Sequence, residues 1–198
     1  MHLEKLFWAS GCARIVGVDE AGVAPLAGPV VAAAVILKPD IRLRELPKVN
    51  DSKLLSPLDR QKLYDRIISK CVDYAIGLAE VEEIDRLNIH HATRLAMQRA
   101  VEQLRKFSAV LIDGPFTIPN LRCLQLAVVD GDAKIVTISA ASIIAKVSRD
   151  LLMADLDEQF PSYGFAKHKG YPTKFHIAKI RELGPTPVHR KSFLKKIK

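Results

Sequence analysis

The 198-residue sequence predicts an α/β domain, a five-stranded mixed sheet flanked by helices, with a helical portion over about residues 160–198 packed on it as a C-terminal extension. Three observations predict this. Two short apolar runs, Ile15 to Val18 and Ala109 to Ile112, end in acid as Asp19-Glu20 and Asp113-Gly114, the pattern of buried strands that open onto a site. Strand-like and helix-like segments then follow in an order that suits a sheet covered by helices. The hydrophobic fraction, 48%, is high enough for a sizeable core, and length favours one domain, residues 1–198.

Each element has its own signal. Arg14 to Glu20 and Gly28 to Leu37 are rich in Val, Ile and Ala and are separated by the Gly22 to Pro29 turn, so they read as two strands with a hairpin-like connection. Lys38 to Asp51 reads as a loop within the domain. Ser56-Pro57-Leu58-Asp59 places an N-cap serine, a first-turn proline and an acid in order, which predicts a helix from Pro57 to Lys70. Cys71 to Glu80 reads as the third strand. Ile89, Ala92, Leu95, Ala96, Ala100 and Leu104 recur at helical spacing within Glu82 to Phe107, ahead of the strand Ala109 to Asp113. Leu121 to Val129 is the fifth strand. A long helix follows over Ser139 to Gln159, then a shorter one over Thr173 to Leu183, stopped by Gly184-Pro185.

Composition narrows the function classes. The longest apolar block, Pro25 to Leu37, has 13 residues and holds Gly and Pro, against the roughly 20 that span a bilayer. Met1 to Ala13 has no signal-peptide core, and Cys12, Cys71 and Cys123 form neither CxxC pairs nor a disulfide framework, so a soluble cytoplasmic protein without a zinc site is expected. A net charge of +8 favours a polyanionic partner, although much of the excess lies in Lys191, Lys195, Lys196 and Lys198, where it also suits a solvated tail.

An acid at the tip of a buried strand is costly unless it is paired, and several together repel, so Asp19, Glu20 and Asp113 ask for bound cations. A fourth acid, Asp150, shares a helix face with Ile143, Val147 and Ala154. Lys146, four residues earlier, offers it an ion pair instead, and ordinary turns would account for the other acids taken singly. Carboxylates with no His or Cys set nearby favour hard, oxygen-liking ions, Mg²⁺ or Mn²⁺, and a pair of ions suits phosphodiester hydrolysis. The chain has no phosphate loop of the GxxxxGK[ST] type, no HExxH, no GxSxG and no GxGxxG opening a helix.

The segment IVGVDEAGVAPLAGP at 15–29 resembles the opening of ribonuclease HII. So do NDSKLLS at 50–56, IDGP at 112–115, GDAK at 131–134, ISAASIIAKVSRD at 138–150, GYPTKFH at 170–176 and GPTPVHRKSF at 184–193. The resemblance spans about residues 14–193 and implies a ribonuclease H fold. It also implies hydrolysis of the RNA strand in RNA/DNA hybrids and of duplex DNA 5′ of single embedded ribonucleotides, with two metal ions and 5′-phosphate and 3′-hydroxyl products. Carried onto this chain, it makes Asp19, Glu20, Asp113 and Asp150 the metal-binding catalytic acids, and Tyr171 the ring that packs on the sugar beside the ribonucleotide. Lys53 and Lys134 match lysines near phosphate, and His176, His189 and Arg190 fall in matching motifs without an assigned chemistry.

One departure stands out. Where the family usually has Gly-Arg-Gly as its sensor of the ribose 2′-hydroxyl, this chain has Gly22-Val23-Ala24. Val23 removes a guanidinium and Ala24 adds a Cβ where glycine permits close approach or positive φ. The expectation is an intact metal site with altered junction recognition. The alternatives are a catalytically weak or silent relative that binds hybrid or duplex by charge, and ribonuclease HIII, for whose added N-terminal domain the 18 residues before Asp19 leave no room. A monomer without membrane contact is the default.

Overall fold

Residues 30–36, and residues 15–18 ahead of Asp19-Glu20, are branched or small and free of polar side chains, so these runs are stable only where both faces are covered. In the computed structural model, which describes residues 2–39, 41, 46, 49 and 55–195, they form the middle of the sheet. The chain runs α1 (His2–Ala9), β1 (Ile15–Ala21), β2 (Val30–Ile36), α2 (Pro57–Lys70), β3 (Asp73–Ala79), α3 (Val81–Leu87), α4 (Ile89–Glu102), β4 (Ala109–Asp113) and β5 (Leu124–Val128). It continues through α5 (Gly131–Lys134), α6 (Val136–Gln159), a 3₁₀ turn (Pro161–Tyr163), α7 (Phe165–His168), α8 (Lys174–Leu183) and α9 (Lys191–Leu194).

The five strands lie in the order β3-β2-β1-β4-β5. β1 pairs antiparallel with β2 and parallel with β4, so the sheet changes sense at β1. Every residue of β2 is buried. On one face Val16, Val18, Ala32, Ala34, Val110 and Ile112 pack under α4; on the other, Ala33 and Val35 pack under α2 and α6. Gly17 is what lets α6 lie so close to β1, since a Cβ there would stand 2.2 Å from the backbone carbonyl carbon of Thr137.

The predicted architecture holds, and Ser56 caps α2 through the amide of Asp59 as expected. Three elements differ from their predicted form. The stretch read as one helical segment from Glu82 breaks at Asn88, whose φ of +67° ends α3 while its side chain accepts from the amides of His90 and His91 to start α4. The short α5 was not expected. Nor was α1, which has a physical role: its Glu4, fully buried, accepts from the Thr137 amide at 2.9 Å and the Thr137 hydroxyl at 2.8 Å. A carboxylate at that place satisfies orphan donors and complements the positive end of the helix, which explains why α6 begins at Val136 rather than Ser139.

The C-terminal segment is tied to the loop after β1. Ala27 bridges to His189, the Leu26 amide donates to Gly170 O at 2.8 Å, and the Arg190 amide donates to Leu26 O at 2.8 Å. Gly17→Ala is expected to destabilise the protein by about 3 kcal/mol, a fall in Tm of roughly 10 °C, because backbone rather than a flexible side chain must yield. An unchanged thermal melt would mean that α6 is not seated on β1 at that point.

Candidate active site

Parallel pairing sets Val18 of β1 opposite Ile112 of β4, so the next residues, Asp19 and Asp113, leave the sheet side by side at its carboxyl-terminal edge. Alternation along the strands turns both carboxylates to the α6 face and Glu20 to the α4 face. Asp19 is 5% exposed; its Oδ1 accepts from the Glu20 amide at 2.7 Å, and the Ser142 hydroxyl of α6 also donates to it. Asp113 Oδ1 accepts from the amides of Gly131, at 2.7 Å, and Asp132, at 3.3 Å, so α5 forms a lip over the end of β4.

These contacts do not cancel the cost of crowding. Burial, then the charges of Glu20 and Asp113, hold the Asp19 carboxyl well above the usual range. Glu20 is pushed up to about 7, first by burial and then by Asp113, with a smaller push from Asp132. Such values mark carboxylates that lack a counter-charge. Among the described residues no group of three or more His, Cys, Asp or Glu side chains is already drawn together into a metal-holding set. The donor chemistry is nonetheless that of a hard cation, because all the groups are carboxylate oxygens and each raises the cost of ionising the next.

Asp150, the fourth acid expected from the sequence, is engaged on its own helix. Asp150 accepts from Lys146 Nζ at 2.7 Å, the ion pair that the helix spacing also allowed, and it is not among the charges that bear on Asp19 or Glu20. It lies eight residues beyond Ser142 on α6, roughly 12 Å along the axis at about 1.5 Å per residue. The acid that does bear on the cluster is Asp132, buried in α5. It lies in the same GDAK segment as Lys134.

The structure brings Gly22, Val23, Ala24 and Tyr171 together along a depression of about 420 Å³ that also meets Glu20, Lys146 and Arg149. Two buried arginines hold the loop from behind. Arg190 donates to Gly22 O at 2.6 Å, Val23 O at 3.0 Å and Gly28 O at 2.9 Å, while Arg149 donates to Pro29 O and Ala27 O, each at 3.1 Å. Gly22 has φ +99°, and a Cβ on it would stand 2.1 Å from Arg149 Nε. Ala24 is exposed and is not among the residues with positive φ, so its methyl strains nothing.

Tyr171 is held through its backbone by a chain of imidazoles. Thr186 N–H donates to His189 Nδ1, which leaves the His189 Nε2 proton for His176 Nε2 at 3.0 Å and the His176 Nδ1 proton for Tyr171 O at 2.9 Å. Burial keeps both rings neutral, lowering His176 and bringing His189 to about 4. The Tyr171 ring stays 41% exposed on the depression. Lys134 donates to Val129 O at 2.6 Å, with Asp130 3.7 Å away, so its ammonium is engaged in its own turn. Lys53 lies outside the described residues.

The family model for ribonuclease HII matches residues 16–196. The chain belongs to the ribonuclease HII family. It is 57% identical to the ribonuclease HII of Coxiella burnetii over 180 residues, covering 90% of this chain and 87% of that protein. It is 50% identical to the ribonuclease HII of Desulfitobacterium hafniense over 190 residues, covering 96% and 72%. Among solved structures it is similar to the ribonuclease H2 of Pyrococcus horikoshii, with a TM-score of 0.77, 29% identity, and 90% and 93% of the two chains covered. The fold is therefore a ribonuclease H fold, and the protein is a ribonuclease H enzyme.

The raised acids set a pH dependence. Glu20 would release its proton near 4.5 in the unfolded chain and does so at about 7 in the folded one, so the folded state binds more protons in that window and its stability falls as pH rises. The lowered histidines act in the opposite direction, losing stability as pH falls. A difference measurement removes them: in EDTA, Glu20→Gln is expected to melt close to wild type at pH 4.5 and progressively above it up to pH 8. A difference in Tm that stays flat with pH would refute the crowding.

Proposed function

We propose that this chain hydrolyses the RNA strand of RNA/DNA hybrids, and duplex DNA 5′ of single embedded ribonucleotides, through Asp19, Glu20, Asp113 and Asp132. Endoribonuclease action on hybrids follows from the family; the acid set, the ion pair count and the embedded-ribonucleotide activity are our reading. The observation that carries it is the side-by-side placement of Asp19 and Asp113 at the end of a parallel strand pair, with the Asp19 carboxyl held well above its usual range by burial and by the charges of Glu20 and Asp113.

The family is divalent-metal dependent, and we assign two Mg²⁺ or Mn²⁺ ions to these carboxylates. Bound cations would supply an activated water and Lewis acidity at the phosphorus and the leaving 3′ oxygen. The protein's own part is placement. Asp19, held by the Glu20 amide and Ser142, presents its remaining lone pairs outward between Glu20 and Asp113. Asp113 is oriented by two amides of α5, which also brings in Asp132. We favour Asp132 over Asp150 because Asp150 is already neutralised by Lys146.

Recognition of the ribose falls to the depression beside the acids. The carbonyls of Gly22 and Val23 are fixed from behind by Arg190, and those of Ala27 and Pro29 further along the loop by Arg149, so backbone contact with a 2′-hydroxyl does not need a side chain at position 23. Tyr171 forms the opposite wall, suited to packing on a sugar. What Val23 lacks is the phosphate clamp that an arginine provides.

Asp19→Asn and Asp132→Asn are each expected to abolish Mn²⁺-dependent cleavage of a hybrid while binding persists, and Asp150→Asn to retain it. Loss of cleavage with Asp150→Asn but not with Asp132→Asn would reverse the assignment. The double variant Val23→Arg, Ala24→Gly is expected to raise cleavage of a duplex with one ribonucleotide more than cleavage of a continuous hybrid. Equal rates for variant and wild type on both substrates would sink the link between this tripeptide and junction choice.

A further inference from the structure

The acids have a second flank that none of these roles uses. On the α4 side, Glu20, Val23, Arg94, Asp113 and Phe116 line a depression of about 290 Å³. Arg94 and His90 stand four residues apart on one face of α4, and the Arg94 guanidinium lies over the Phe116 ring, 5.8 Å from its centroid. Phe116 follows Asp113-Gly114-Pro115 directly and is 61% exposed, so a large apolar ring sits in water beside the carboxylates. The hydroxyl of Thr93, also on this wall, is buried without a hydrogen-bond partner.

A guanidinium resting at cation–π distance over a ring keeps its planar fork of N–H donors, which matches a phosphate. An arginine confined there also limits the repulsion a polyanion meets on approaching Asp19, Glu20 and Asp113. Val23 lines both this depression and the one bounded by Tyr171, so a cation on α4 reaches the neighbourhood from which an arginine at position 23 is missing. The opposite flank already carries Lys146 and Arg60.

We propose that Arg94, held by Phe116, binds a backbone phosphate of the nucleic-acid substrate on the Asp113 side of the catalytic carboxylates. The site deepens the proposed function and rests on it. Arg94 takes up the phosphate contact that Val23 cannot make, from a different element and without reading the base.

The test is steady-state cleavage of a continuous RNA/DNA hybrid by the full chain in Mn²⁺ over a range of salt concentrations, with hybrid binding by anisotropy in parallel. Arg94→Leu is expected to raise KM roughly ten- to a hundredfold with kcat nearly unchanged, and to flatten the slope of log(kcat/KM) against log[salt] by about one. Arg94→Lys should keep the slope while recovering only part of the affinity. Val23→Arg placed in the Arg94→Leu protein should restore both. Unchanged KM, affinity and slope in Arg94→Leu would overturn the proposal, as would a loss in kcat at constant KM, which would mean that Arg94 acts on the acids and not on phosphate. Failure of the wild type to cleave would sink the underlying reading alone, since the anisotropy arm still reads the Arg94 contact.

Discussion

Everything at the site depends on one juxtaposition, the carboxylates of Asp19 and Asp113 leaving adjacent parallel strands at the same level under α6. Parallel pairing in this register is what makes their meeting unavoidable, and Gly17 fixes the depth at which α6 closes over them. Once α6 is there, water is reduced and charge repulsion grows, which is why both Asp19 and Glu20 hold their protons more tightly than free carboxylates do. The strain is the binding energy available to a divalent cation, because a cation removes the burial and repulsion terms together.

Among the described residues, the two most buried cations are kept away from that task. Arg149 and Arg190 are desolvated, yet their donors go to backbone carbonyls of residues 22–29 and of Lys169, not to the acids. Had either paired with Asp19 or Asp113, the crowding that raises Asp19 and Glu20 would be partly relieved. By satisfying carbonyls that have no sheet partner, they convert a loop into a rigid wall. The neutral histidine chain does the same for Tyr171, and it works only while His176 and His189 are uncharged, since a proton on both would leave two donors facing each other. Positive charge is thus used inside to hold backbone, and Arg94 on the α4 rim is the cation we propose for phosphate.

Much of this was legible in the sequence, for reasons that differ from residue to residue. Asp19, Glu20 and Asp113 announced themselves because an acid ending an apolar strand has few structural explanations. The strand segments and the α2 cap followed from composition and periodicity and from the Ser-Pro-x-Asp pattern. Asp150 and Asp132 show the limit of such reading. Helix spacing correctly placed Asp150 on a face with Ile143 and Val147, but whether that face meets Asp19 depends on where α6 crosses β1, a tertiary fact set by Gly17 and Thr137. Asp132 sits in a one-turn helix too short to have a period, so only its distance from Asp113 reveals it. Glu4 was invisible for the same reason, since its partner amides lie more than 130 residues away.

The Gly22-Val23-Ala24 departure changes meaning once the backbone is known. From sequence, two losses were expected, a guanidinium and a permissive glycine. The second is not a loss, because Ala24 needs no positive φ and its methyl meets solvent, while Gly22, where a Cβ would strike Arg149, is retained. Only the charge is missing. A missing charge can be replaced from any direction that reaches the same phosphate, whereas a missing backbone geometry cannot. Val23 therefore leaves the backbone geometry of the loop intact and removes only a charge, and the phosphate contact we propose for Arg94, whose guanidinium lies 5.8 Å from the Phe116 centroid, would supply that charge from α4.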